Sequence, residues 1–533
     1  MTPESQSAAG AHRVQPRARA LARAGMWRCA LVTVAAVSCG PAEHPLRRVE
    51  RGEAQVTGRG MLVIAIDGLR FDRTSLGRTD RDTTPFLRRL AAEGASFDDT
   101  WGTSTARFDA HVSLLTGADP LIGRRPPVQD SSQSAAPVSL PLVLPGAAPS
   151  VAVRFLAGGW TTAAFVDHTE LSKVRGLDRG FQRFFEYAGR GDVSDRRGEG
   201  AFGVGARVIQ WINARDLDED WFAYVHLGDL ERVFQRPPQP VPTSWHVAPE
   251  TNPTYVPVAR AEPTFHALPA SRVGGNAASL AALELQYDAE LAAVDRILER
   301  IVRHVDEFGR SKLVTVVIVG TYGVPFGESG LYLSPGLPDA PDLRVPWVMR
   351  PAVETGVPPG THIEAIASIM DVAPTLLNLA GLNAPGTMHG LSRAAELRDH
   401  AAAPARGVLF ARSHVGTGGC IVTDAAHWAL FHPTMAAGDL AESWSGERVG
   451  DPSNRVRALG TRVGPASARS LEFLSSPEPE RAAYSAFEAL WRRWMTLTSE
   501  ARDGLQFGGG RARAEIAAEL RAFQGPTGLP PGS

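Results

Sequence analysis

The sequence predicts an α/β protein, with a largely parallel sheet between helices over residues 60–395 and a small α+β domain with an antiparallel sheet over 396–523. Three observations carry this expectation. Short, continuously apolar runs such as MLVIAI (61–66), WFAYVHL (221–227) and LVTVVIV (313–319) suit central strands of a parallel sheet covered on both faces. Between them lie amphipathic stretches, clearest at 283–302, where Tyr287, Leu291, Val294, Leu298 and Ile301 recur at alternating four- and three-residue spacing. Beyond residue 405 the pattern changes to alternating runs, VLFARSHVG and CIVTDAAHWALFHP, as antiparallel strands read.

A chain of 533 residues with 44% hydrophobic content is long enough for a sizeable core and more than one small domain. Its 55 Lys and Arg against 57 Asp and Glu give no overall field for nucleic acid, which is excluded as a partner. Oligomeric state is left open.

Residues 1–59 read as an N-terminal extension. The first 25 lack a hydrophobic period, and Met26 is an alternative start. From there MWRCALVTVAAVSCG, a one-Arg start and a short apolar run ending in small residues before Cys39, resembles a bacterial lipoprotein signal. The resemblance implies lipidation at Cys39 and a membrane anchor, because the run is too short to span a bilayer. Ala36 stands where Leu is usual, so a plain secretory signal or a membrane-embedded segment are the alternatives. With Cys39 acylated, Cys420 has no disulfide partner and is expected to be buried or inert. Residues 40–59 are a polar tether and 524–533 a Pro- and Gly-rich disordered tail.

In chain order, the first strand delivers Asp67, and Thr84-Pro85 open a helix, PFLRRLAAEG, that Gly94 closes. TSTARFDAHVSLLTG follows from Thr103 to Gly117. After a Pro-, Ser- and Ala-rich surface segment (124–150) come a helix around 153–156, the strand TTAAFV (161–166) and LSKVRGLDRGFQRFF (171–185). The strand 221–227 carries His226 and Asp229 to its carboxyl edge, where α/β sheets place ligands. Residues 235–263 read as a surface insertion, RVPWVMRP (344–351) as a strand, and MDVAPTLLNLAGL (370–382) as a helix.

This order of parts resembles the sulfatases and phosphatase-like relatives of the alkaline phosphatase superfamily. The likeness runs from residue 60 to 523 and includes GLDRGF, Pro325-Phe326-Gly327-Glu328-Ser329-Gly330 and the closing hairpin and helix from Leu471. In that family a strand delivers a metal-binding Asp, and a Cys, Ser or Thr nucleophile starts a helix ending in SLLTG. Counting back from Thr116 by the family's spacing puts the nucleophile position at Arg107, which has no lone pair to donate. A local bulge that brings Ser104 or Thr105 into that position is the alternative. The family's Asp-Pro-His, whose His contacts the ester, reads Asp229-Leu230-Glu231, and its metal-binding Asp-His-Gly reads Thr321-Tyr322-Gly323.

The resemblance therefore implies a sulfatase-like protein, held outside the cytoplasm, that has lost catalysis. Asp67 is the one surviving metal ligand, Gly68 offers no side chain, and no cofactor is expected, since hard cations need several anionic or carbonyl oxygens. A sulfated or phosphorylated ligand is the expected partner, with Arg107, His111 and His226 as anion-binding candidates. The alternative is a divergent sulfuric or phosphoric ester hydrolase that keeps calcium or magnesium and draws on Ser104, Thr105, Asp109, His111, Asp229 and Glu231. For Arg107 two arrangements compete: an ion pair with Asp67 that takes the cation's place, or an outward-facing donor that works with His111.

Overall fold

The computed structural model describes residues 56–77, 80–123, 143–187, 200–233, 239–245, 268–269, 277–326, 331–332, 340–400 and 406–412, together with the strands and helices between 419 and 524 given below. The stretch read above as an export signal, with Cys39, the 327–330 part of the resemblance, the side chain of Cys420 and the tail beyond 524 lie outside the described residues.

The main sheet has the order β10 (Thr361–Ile363), β2 (Ala95–Trp101), β9 (Arg344–Arg350), β7 (Val314–Gly320), β1 (Gly60–Ile66), β5 (Trp221–Leu227), β3 (Thr161–Val166) and β4 (Arg183–Glu186), with β11 (Ala367–Ser368) alongside β2. Neighbours run parallel except at β9, which is antiparallel to both β2 and β7. A two-stranded pair, β6 (Leu268–Pro269) with β8 (Leu331–Tyr332), stands apart.

Both faces of this sheet are covered, which is why β1 is apolar at every position. Met61, Val63 and Ala65 pack with α2 (Arg107–Thr116), α3 (Val151–Ala157) and α7 (Val372–Leu379) through Val112, Phe155 and Leu376. Leu62, Ile64 and Ile66 point the other way, toward α1 (Pro85–Glu93), α4 (Gly200–Asn213) and α5 (Ala277–Glu307), where Leu90, Val208 and Leu298 meet them. Short helices α6 (Ala340–Leu343) and α8 (Ala394–Arg398) complete this part. Thr84 stands at the N-cap of α1 but its side chain makes no cap; its hydroxyl accepts from Ser75 N–H instead (2.8 Å). The cap comes from α5, where buried Asp295 accepts from Phe86 N–H (2.9 Å) and Leu87 N–H (3.0 Å).

The second sheet is antiparallel throughout, in the order β12 (Val408–Arg412), β13 (Gly419–Thr423), β14 (His427–Phe431), β15 (Val456–Val463) and β16 (Ser470–Phe473). Two helices follow where the sequence suggests one, α9 (Arg481–Gln506) and α10 (Arg513–Phe523). Val408, Phe410, Trp494, Leu497, Ile516 and Leu520 form the core between them. Gln524, which the sequence assigns to the tail, is fully buried, and its carbonyl accepts from Gly407 N–H (2.8 Å).

The two sheets are locked together around α2. Arg412 N–H donates to Thr103 O (2.8 Å) and Thr105 N–H to Arg412 O (3.2 Å), so β12 holds the segment entering α2. Beyond the helix, Asp119 accepts from Arg412 Nε (2.9 Å) and from Trp494 Nε1 (2.9 Å). Because this pair is buried, Asp119→Ala should lower unfolding stability by about 3 to 5 kcal/mol in urea titrations, leaving Arg412 without its carboxylate. Asp82→Ala, which breaks the exposed pair with Arg88 (2.9 Å), should cost less than about 1 kcal/mol.

Candidate functional site

Sheet register decides what meets at the mouth of β1. Ala65 pairs with His226, and Ile66 lies between Leu227 and Gly320. Asp67 N–H continues the ladder to Leu227 O (3.0 Å), and Thr321 N–H reaches Ile66 O (3.1 Å). Gly68 then turns the chain at φ 76°, a conformation that favours glycine, and a Cβ there would stand 3.0 Å from Val324. Asp67 is thereby fixed, fully buried, between His226 and Thr321.

Helix α2 faces it with its first residue, Arg107, and ends at Gly117 (φ 60°), whose N–H closes on Ser113 O (2.9 Å). The carboxylate of Asp67 is saturated with donors. Oδ1 accepts from Thr321 Oγ1 (2.5 Å) and His111 Nε2 (2.9 Å), and Oδ2 accepts from His226 Nε2 (2.9 Å) and Arg107 Nε (2.8 Å).

The histidine tautomers follow from their other nitrogens. Asp167 N–H donates to His226 Nδ1 (3.2 Å), so the His226 proton sits on Nε2, toward Asp67. His111 Nδ1 meets the Tyr224 hydroxyl, which burial keeps protonated by pushing its pKa well above the ordinary value. Burial also pushes the His111 imidazole down, against the pull of Asp67, so His111 is a neutral Nε2–H donor. Burial alone would raise the Asp67 carboxyl, but His226 and His111 hold it well below the usual carboxylate range.

The rest of the Arg107 guanidinium, 12% exposed, is also spoken for. Nη1 lies 3.2 Å from Glu170 Oε2 and 2.8 Å from His168 Nε2, and Nη2 pairs with Glu231. Burial, and next Arg107 itself, push His168 down to about 3, so its ring is neutral. Tyr322, whose hydroxyl burial keeps protonated, donates to the second oxygen of Glu231. The two residues that the resemblance sets at the distal metal positions thus orient carboxylates: Thr321 holds Asp67 and Tyr322 holds Glu231.

A divalent cation does not fit this donor set. Asp67, His111 and His226 offer ligand atoms within 4.8 Å of one another, but those atoms already face each other as donors and acceptors. Metal at His226 Nε2 would force its proton onto Nδ1, against the Asp167 N–H. The space before Asp67 is filled by a guanidinium that would repel the ion.

Arg107, His111 and His226, the anion-binding candidates, are therefore turned to carboxylates, and both histidines are fully buried. Glu231, which the resemblance sets at the ester-contacting position, accepts from Arg107. Ser104, Thr105 and Asp109 are buried, with Ser104 Oγ donating to Asp109 Oδ2 (3.3 Å), while Asp229 accepts from Ala201 N–H (2.8 Å). These side chains do not assemble a solvent-reached nucleophile. Sequence reasoning missed His168, Glu170 and the Asp167–Arg232 pair. A signal was there, since Asp167-His168-Thr169-Glu170 directly follows the carboxyl end of β3, beside β5.

The Arg107–Asp67 pair is testable by a double-mutant cycle. Arg107→Met and Asp67→Asn should each cost about 3 to 5 kcal/mol, and together less than their sum. Because the folded pKa of Asp67 is depressed, its contribution is fully present above the unfolded carboxylate pKa and is lost as pH falls through the folded value. Melting curves should therefore show it intact at neutral and mildly acidic pH and lost only in strong acid. Chelator or added calcium should leave the wild-type melting temperature unchanged.

The sulfatase family pattern matches residues 59–382. An extracellular sulfatase homologue of Caenorhabditis elegans is 30% identical over 102 residues, which cover 19% of this chain and 14% of that protein. Among solved structures, the phosphonate monoester hydrolase of Agrobacterium radiobacter superposes with a TM-score of 0.56 at 16% identity, over 83% of this chain and 96% of its own. A structure in complex with its substrate D-glucosamine-2-N,6-O-disulfate superposes with a TM-score of 0.53 at 15% identity, over 84% and 98%. At these identities the structures establish the fold, and the family match across most of the α/β part establishes membership: this chain belongs to the sulfatase family.

Proposed function

We propose that the protein is a non-catalytic member of its family, exported and anchored through Cys39, in which Arg107 stands in for both the nucleophile and the cation. One observation carries the reading: the Arg107 guanidinium is held by Asp67, Glu170 and Glu231 where hydrolysis would need an activated oxygen and a metal. Three carboxylates face one guanidinium, so an incoming sulfate or phosphate ester meets a negative rim. The Caenorhabditis elegans relative is named an extracellular sulfatase homologue, which supports export. Among the described residues no helix is long and apolar enough to cross a membrane.

A second reading, a divergent ester hydrolase using calcium or magnesium, draws support from the phosphonate monoester hydrolase likeness. A sulfated sugar is the ligand class that the disulfated glucosamine complex suggests. The purified full chain, assayed with aryl sulfate, aryl phosphate and aryl phosphonate esters in calcium, magnesium or manganese, should show no turnover above the buffer blank. Elemental analysis should find these metals below stoichiometric amounts. Metal-dependent turnover that Asp67→Asn abolishes would replace the non-catalytic reading with the hydrolase. Calorimetry with D-glucosamine-2-N,6-O-disulfate tests the ligand separately: heat of binding lost in Arg107→Met would show that the cage opens to an oxyanion.

A further inference from the structure

Helix α5 turns one stripe to solvent outside its contacts with α1 and α4. Arg296, Arg300 and Arg303 recur along it at i, i+4 and i+7, and all three are exposed. Phe308, 47% exposed, follows one turn later with its ring 4.7 Å from that of His304. Phe202 of α4, 53% exposed, lies 5.1 Å beneath the Arg300 guanidinium. Both phenylalanines that are exposed among the described residues are thus on this face.

Among the described residues, the acids nearby neutralise only Arg303. Glu299 is taken by Arg89 (2.6 Å) and Asp306 by Arg350 (2.8 Å). Glu307 pairs with Arg303 (3.8 Å), while Arg296 and Arg300 have no carboxylate partner among the described residues. A merely solvated helix face would explain the arginines, which also suit the C-terminal half of a helix. It does not explain two half-exposed phenylalanines beside them, whose apolar area stays in water.

We propose that this face docks peripherally on an anionic lipid surface. Arg296, Arg300 and Arg303 would meet headgroup phosphates, and Phe202 and Phe308 would enter the boundary with the acyl chains. An anionic polysaccharide would use the arginines but offer the phenylalanines nothing, so charge and aromatic exposure together favour lipid. This docking is independent of the anchoring through Cys39 proposed above.

The test separates the two by using the full chain carrying Cys39→Ser, mixed with vesicles of phosphatidylglycerol and phosphatidylcholine and sedimented. Binding is expected to these vesicles and not to phosphatidylcholine alone, and to weaken with added salt. Reversal of the stripe, Arg296→Glu with Arg300→Glu and Arg303→Glu, should reduce partitioning by at least about tenfold. Phe202→Ser with Phe308→Ser should also weaken it while the melting temperature is kept. Failure of the Cys39→Ser chain to bind, or equal binding by the charge-reversed chain, overturns the proposal and leaves anchoring untouched. Retention on heparin without binding to vesicles overturns it too, and assigns the face to a polyanion.

Discussion

A fully buried carboxylate at the end of the central strand is the constraint on which the rest of the site depends. Asp67 emerges where β1 meets both of its parallel neighbours, too deep for water to compensate its charge. Isolated ions are rarely buried without partners, because desolvation costs several kcal/mol per charge. Here the compensation comes from the chain itself, from one guanidinium, two imidazole N–H groups and one hydroxyl. Arg107 and His111 come from α2, His226 from β5 and Thr321 from the end of β7, so saturating one side chain ties these three elements to β1.

This arrangement gives the residues around the site one physical logic. With an arginine at position 107, a divalent cation would face like charge, so the neutral hydroxyls nearby have more to gain as hydrogen-bond donors to carboxylates. Thr321 and Tyr322 are such donors, and Glu231, itself acidic, extends the cage around the guanidinium. Neutral histidines complete it, because burial holds His111 and His168 below their ordinary values. The Gly117 turn and the β12 contacts at 103–105 hold α2, and with it Arg107, in place.

Much of the framework was legible in advance for a physical reason. The strand at 61–66 had to be covered on both faces because it has no polar position, and the stripe of Tyr287 to Ile301 had to be the buried side of a helix. Less was legible where local pattern is weak. β15 reads VRALGTRV, with charges that blur its alternation, and α10 is short and Ala-rich. Thr84 looked like a cap by type and position, yet a carboxylate 211 residues further on, Asp295, supplies the cap through space.

The sequence by itself determined which residues stand at the positions that the resemblance assigns to the nucleophile and the distal metal pair, because residue identity at a fixed spacing needs no coordinates: Arg107 has no lone pair to donate, and Thr321 and Tyr322 carry no charge. It also placed Asp67 and His226 at strand ends, since a strand's carboxyl edge follows from its last apolar residue. Only the tertiary structure decided what those residues do. Whether Arg107 meets a carboxylate or an incoming anion depends on the register of three strands and on a loop, 167–170, that is adjacent in space and distant in sequence. Electrostatic partnership falls steeply with distance, and distance is a property of the fold.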